Sequence, residues 1–423
     1  MLKRGVRVGA GKLSVERPRG RISLPLGKKI YLLGIGKGAD TAAPYFSRVF
    51  GARLKRGIFI VRDRVMRRRL PRIDILVAGH PLPDSRGIRA TRRSIEMLSQ
   101  AGAADTLVVF LMGGASSLLV GPAPGLTLGD KRRTAALLLK SGMSIDEMNT
   151  IRKHLSSVKG GGLLRAAQPA KVITLAISDV IGNDPAVIGS GPTYPDPSTF
   201  NDALKIIRRY RLMRRLPTAV RRRLVNGARG NIPETMKPGS ALLGESRFVM
   251  LADNATALAA AKGEAEALGL RSAILTSTLS GDARARAREL ADKLKALAKK
   301  KSSSPRCFLL GGETTVKVRG GGTGGRNQEF ALAAALELAD CPGIYLLTAA
   351  SDGSDGPTDA AGAFVDGATL RRAQGRRLNA ARALRRNDSH AFFSRLGDLY
   401  RPGPTGTNVL DFVIAIVDGR GSQ

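Results

Sequence analysis

From about residue 28 onward, short and almost unbroken apolar runs alternate with longer amphipathic or alanine-rich stretches. In the first half, Lys29–Gly34, Gly57–Val61, Asp74–Ala78, Thr106–Met112 and Lys171–Ile177 predict strands, and Ser85–Ala101, Lys131–Ser141 and Ser144–Leu155 predict helices between them. Strands that are apolar on both faces and separated by helices belong to parallel sheets covered on both sides. The expectation is a doubly wound α/β architecture. Phe200–Lys237 is rich in arginine and helix signal and is expected to bridge or decorate the two halves. Strands resume at Phe248–Ala252, Ser272–Thr276, Arg306–Gly311, Ile344–Thr348 and Phe412–Val417. Gly311–Gly325 predicts a strand, a second short strand in TTVKVRG and a glycine loop opening a helix at Asn327; Ser302–Pro305 reads as an exposed linker. Two domains are expected, 1–237 and 238–423.

With 423 residues, 43% of them hydrophobic, and 50 glycines, the chain can bury two cores. Cys307 and Cys341 form no disulfide framework and no C-x-x-C pair, and the longest apolar stretch, Thr106–Gly121, is interrupted by glycine and serine. A soluble, cytoplasmic protein without a membrane partner is the expectation. The formal charge of +35 comes from scattered runs at Arg62–Arg72, Arg208–Arg215, Arg221–Arg223, Lys295–Lys301 and Arg371–Arg377. Aromatic residues make up 4% with no Trp, which leaves few stacking platforms, so solvated charge is preferred over a specific nucleic-acid surface. Such a field still favours anionic ligands.

Polar motifs fall where apolar strands end: Lys37 in GIGKG, Gly113–Ser117 (GGASS), Asp179–Asp184 (DVIGND), Asn254, Glu313 and Asp352. Ligands of doubly wound sheets bind outside the carboxyl ends of the strands, so these motifs are expected to converge. Candidate ligand contacts are Gly36, Gly113, Gly114, Ser116, Ser117, Arg152, Lys159, Asn254, Glu313, Gly324, Gly325, Asn327 and Asn408. Asp179, Asp184, Asp352, Asp355 and Asp359 form a carboxylate pool able to bind Mg²⁺ or deprotonate a hydroxyl. The Walker spacing is absent, Ala39 stands where G-x-G-x-x-G needs its last glycine, and GGASS is not a nucleophile elbow. His80, His154 and His390 show no metal spacing and read as structural.

The chain resembles the glycerate 2-kinases with a C-terminal MOFRL domain, relatives of which are often labelled hydroxypyruvate reductase. The resemblance runs from about Ile30 to Val417 through GIGKGA, AGHPLPD, MNTIRKHLSSVKGG, ISDVIGNDPAVIGSGPTYPDPST, GGETTVKVRGGGTGGRNQE, SDGSDGPTDAAGA, NDSHAFF and GPTGTNV. It implies a Rossmann-like N-terminal domain, a MOFRL-type α/β C-terminal domain and an active site in the cleft between them. It implies ATP-dependent phosphorylation of the 2-hydroxyl of D-glycerate with Mg²⁺ or another divalent metal. The family's essential lysine falls on Lys37, its catalytic arginine on Arg326, and its two motif aspartates on Asp179 and Asp352, each a candidate metal ligand or base. ATP and D-glycerate are the implied partners, and a homodimer is left open. The chain departs from the pattern in its short basic segment before Lys29, in Met112 before the Gly-Gly pair and in Ala255 after Asn254. Rival readings are an NAD(P)H-dependent hydroxypyruvate reductase, which wants a full dinucleotide fingerprint, and a basic nucleic-acid-binding protein.

Overall fold

The computed structural model describes residues 5–17, 20–66, 69–244, 246–300, 302 and 304–418; Arg67, Arg68, Lys301 and Ser303 of the segments named above lie outside the described residues. The chain divides into two compact units, Met1–Leu251 and Ala252–Gln423.

The first unit begins with a small antiparallel sheet, β1 (Val6–Gly9), β2 (Lys12–Arg17) and β3 (Gly20–Pro25). Its alternating pattern buries Val6, Leu13, Val15 and Leu24, and the β1–β2 turn uses Ala10 and Gly11, both at positive φ as a two-residue hairpin requires. Basic residues spaced between the apolar ones mask the strand pattern of this sheet in the sequence. The main sheet holds β4 (Ile30–Ile35), β5 (Leu54–Val61), β6 (Ile73–Val77), β7 (Thr106–Leu111), β8 (Lys171–Ile177) and β9 (Arg247–Ala252) in the order β6-β5-β4-β7-β8-β9. The pairs β4–β5, β5–β6, β4–β7 and β7–β8 are parallel. Counted within the sheet this is the strand order of a Rossmann fold, with its switch point between β4 and β7. Every residue of β4 and β7 is buried, as expected of central strands covered on both faces.

One sequence expectation changes here. β9, assigned above to the second domain, joins β8 in the first sheet, so the division falls at Leu251 rather than at residue 237. Helices Phe200–Arg209 and Thr218–Ala228, expected to bridge or decorate the halves, pack with Leu128–Lys140 and Ile145–His154 in an apolar cluster of the first unit. Capping boxes Thr127/Asp130, Ser144/Glu147 and Thr199/Asp202 start three of these four helices and satisfy their first N–H groups.

The second unit carries β10 (Arg271–Asp282), β11 (Arg306–Thr315), β12 (Ile344–Ala350), β13 (Gly362–Asp366), β14 (Leu399–Tyr400) and β15 (Asp411–Val417) in the order β10-β11-β15-β12-β13-β14. Only the β10–β11 pair is parallel among those described. The segment TTVKVRG makes no strand of its own: its two threonines complete β11, and the glycine loop follows directly. Helix Arg326–Glu337 is buried almost all round, with Phe330, Leu332 and its alanines in the core. Neither unit contains, among its described residues, a helix long and apolar enough to cross a membrane.

Phe200 is 1% exposed, and its ring stands where a Cβ on Gly227 would lie, 2.3 Å away. Truncation of a ring so enclosed leaves a cavity. Phe200→Ala is expected to lower the unfolding free energy by ~3–5 kcal/mol in a denaturant titration.

Candidate active site

The switch point is built by two glycines. Gly36 follows β4 at φ +146°, and a Cβ there would lie 2.6 Å from the Cβ of Met112 at the end of β7. The close approach lets the Lys37 N–H donate to the Gly113 carbonyl at 2.8 Å. Gly114, at φ +86°, leaves room for its neighbours: a Cβ would lie 2.9 Å from the His80 ring and 3.2 Å from Cγ of Lys37. Lys37, His80 and the Gly113–Gly114 turn are therefore packed together. Burial, then the charges of Lys37 and Arg62, drive the His80 imidazole down to about 4, so it is neutral at pH 7.

The same turn leads into a cationic cluster. Arg152 Nη2 donates to Ser116 Oγ at 2.8 Å, and Lys159 Nζ donates to the Ser116 carbonyl at 2.8 Å and to its Oγ at 3.0 Å. Ser116 Oγ and Ser190 Oγ are 2.8 Å apart, and Ser117 Oγ donates to the Gly114 carbonyl at 3.1 Å. Lys159 is 4% exposed; burial, then the charges of Arg152, Lys131 and Lys153, hold its ammonium well below the usual lysine range. Asp179 lies two residues beyond β8 and is half-buried. His154, by contrast, is structural as expected: its ring packs edge-on against Phe200 and lies 3.1 Å from the Glu234 carboxylate.

In the second unit Arg326 is the centre of an anionic clasp. Its Nε and Nη2 donate to the two oxygens of Asp411 at 2.5 and 3.0 Å, and Nη1 lies 2.6 Å from Glu313. Burial works against the guanidinium's charge, but the hydrogen bonds and charges of Asp411, then Glu313 and Asp355, raise its pKa. Asp411, unmentioned in the sequence reading, opens β15 and is marked there only by a carboxylate in an apolar strand. The glycine loop reaches this site through close packing. A Cβ on Gly325 would fall 2.2 Å from the Asp355 carboxyl carbon, and one on Gly324 would fall 2.2 Å from Ser389 Oγ.

Asp355 accepts the Asn327 and Gln328 backbone N–H groups at 3.1 and 2.9 Å and the Gln328 side chain at 3.1 Å. Asn254 and Asn327 are 4% and 3% exposed and brace the framework. Asn254 donates to the Val409 and Asp411 carbonyls, and Asn327 turns its amide toward Asp355. Asn408 accepts from Ser351 and Leu410, and Asp352 accepts from the Ser354 N–H. In the carboxylate pool, Asp184 accepts from the Ala186 N–H, while Asp359 is held by His390 and Arg401. Among the described residues no three His, Cys, Asp or Glu side chains cluster as a metal cage. Mg²⁺ commonly takes one or two carboxylates and completes its shell with water and substrate phosphates, and Asp179 or Asp352 suits that donor set.

A Rossmann-type unit with a cation-rich switch-point turn, joined to a second α/β unit carrying a clasped arginine, defines a class of two-unit α/β proteins. Residues 6–225 match the Domain of unknown function (DUF4147), and residues 306–411 match the MOFRL family. The chain is 37% identical to a D-glycerate 2-kinase of Thermotoga maritima, over 92% of this chain and 91% of the relative. A relative from Agrobacterium vitis, provisionally named hydroxypyruvate reductase, is 41% identical over 94% of this chain and 87% of its own. The crystal structure of glycerate kinase from Thermotoga maritima superposes with a TM-score of 0.84 at 37% identity, covering 92% of each chain. The chain belongs to the glycerate 2-kinase family of the MOFRL class.

Burial, outweighing the hydrogen bonds from Gln328 and Asn327, raises the Asp355 carboxyl from 3.8 to about 6. The folded state thus holds a proton that the unfolded chain releases, and this contribution is complete below about pH 4 and lost as pH rises to about 6. The unfolding free energy of the parent, from urea titrations, is expected to fall across that window by an increment of up to ~3 kcal/mol that Asp355→Asn does not show.

Proposed function

We propose that the chain transfers the γ-phosphoryl group of ATP to the 2-hydroxyl of D-glycerate, giving 2-phosphoglycerate and ADP. The observation that carries this reading is Lys37 fixed against the Gly113–Gly114 turn at the switch point of a Rossmann-type sheet, in a chain of the glycerate 2-kinase family.

Phosphoryl transfer asks little covalent chemistry of the protein; positioning and charge stabilisation carry it. Lys37 acts as a point charge on the migrating phosphoryl group. Arg326, whose planar fork is held by Asp411 and Glu313, presents a preoriented guanidinium suited to phosphoryl charge. Asp179 and Asp352 take the two remaining roles, metal ligand and base for the 2-hydroxyl. A divalent metal, held chiefly by phosphate oxygens and one of these carboxylates, would neutralise charge on the polyphosphate. Neutral His80 sits beside Lys37 without adding a competing charge. A cytoplasmic setting accords with the reduced cysteines, Cys307 being buried.

The reductase reading lacks its fingerprint, because the first strand-to-helix turn reads GIGKGA. Kinetics with ATP, Mg²⁺ and D-glycerate, coupled to ADP release, test the proposal. Turnover is expected in the parent, with Lys37→Ala and Arg326→Ala each losing about two decades or more in kcat. Full rates in both variants would remove these two residues from the chemistry. NADH oxidation with hydroxypyruvate, and no ADP release, would favour the reductase.

A further inference from the structure

Beside the Gly113–Ser117 turn, the first unit forms a cavity of about 190 Å³. Ser116, Lys131, Arg152 and Lys159 line it together with apolar walls such as Leu138 and Met148. Pro81 in the wall directly follows His80, whose ring packs on Gly114 beside Lys37, so cavity and lysine adjoin the same turn.

All three cations bind neutral acceptors. Lys131 Nζ donates to the Leu155 carbonyl at 3.1 Å, while Arg152 and Lys159 share Ser116. Among the described residues no carboxylate pairs with any of the three. Nearby Lys153 shows the alternative: it is buried and has Asp196 at 3.3 Å. Burial, then the charges of Arg152 and Arg223, press the Lys131 ammonium down to about 7. Like charges gathered without a counter-ion repel one another, and a bound anion relieves that cost.

We infer that this cavity binds the carboxylate of the acceptor, a small 2-hydroxy acid, and that Lys131 is a specificity-determining residue for it, an assignment that rests on the kinase reading above. Size separates the two anions in play. Sites for drug-sized ligands occupy about 300–1,000 Å³. A smaller space suits a three-carbon acid better than a whole nucleoside triphosphate.

Calorimetric titration of the full chain with D-glycerate and, separately, with ATP tests this, alongside steady-state kinetics and unliganded thermal unfolding. For Lys131→Met we expect D-glycerate affinity to fall about tenfold or more and KM for D-glycerate to rise with it. ATP affinity and kcat should stay within about threefold of the parent. The unliganded unfolding midpoint should rise, because one repelling charge is gone, and Lys131→Arg should recover most of the D-glycerate affinity. If the methionine variant does not fold, Lys131→Gln is read by the same criteria. Unchanged D-glycerate affinity, or a loss confined to ATP, would overturn the assignment and in the second case make the cavity a phosphate site. Lys131-dependent binding of D-glycerate without phosphoryl transfer would sustain the site and defeat the kinase reading. Turnover indifferent to Lys131 would do the reverse.

Discussion

The first unit turns on the backbone contact between the ends of β4 and β7. Those strands can close to a 2.8 Å hydrogen bond from Lys37 to Gly113 only because Gly36 carries no Cβ against Met112. The same closure brings Gly114 against His80 and Lys37, and it sends Ser116 and Ser117 into the cationic cluster. A side chain at either glycine would have to displace backbone or a packed ring, and the strained φ values would remain. Strand order places this contact where a doubly wound sheet opens. Local sterics and global topology thus agree on one location.

Charge is handled in two opposite ways. In the second unit Arg326 has two carboxylates, so its orientation is fixed before any ligand arrives and its charge is partly spent. In the first unit Lys131, Arg152 and Lys159 meet hydroxyl and carbonyl oxygens, so no carboxylate among the described residues offsets their charge. A fixed guanidinium suits stabilisation of a transition state, where reorganisation must be avoided. Uncompensated ammonium groups suit ground-state capture of an anion. The net charge of +35 is mostly neither of these, since Arg209, Arg286 and Arg372 form ion pairs at exposed surfaces and many other basic residues simply face solvent.

The strands of the main sheet were legible because central parallel strands are apolar on both faces, and β4, β5, β6, β7 and β8 stand within a few residues of their expected places. Partnership was not legible. β9 reads as an ordinary strand, and nothing in RFVMLA says which sheet it joins. The hairpins β1–β3 were obscured by lysines and arginines on their exposed face, and β14, two residues long, was too short to stand out. Among the candidate site residues, Lys37 and Ser116 stand out as glycine-flanked polar residues at strand ends, Arg152 and Lys159 in the run NTIRKHLSSVKGGG, and Arg326 through the family motif. Lys131 escaped because it looks like ordinary helix-surface charge, and Asp411 because a carboxylate opening an apolar strand does not name its partner. Asn254 and Asn327, expected as ligand contacts, are buried and hydrogen-bonded to the framework through their side-chain amides.

The most direct measurement is the identity of the product. After incubation of the full chain with ATP, Mg²⁺ and D-glycerate, phosphorus NMR should show a new phosphate monoester on the C2 oxygen, in step with ADP. A 3-phosphate ester would contradict the assigned position of transfer, and ATP left intact while hydroxypyruvate is reduced by NADH would contradict the assigned chemistry altogether.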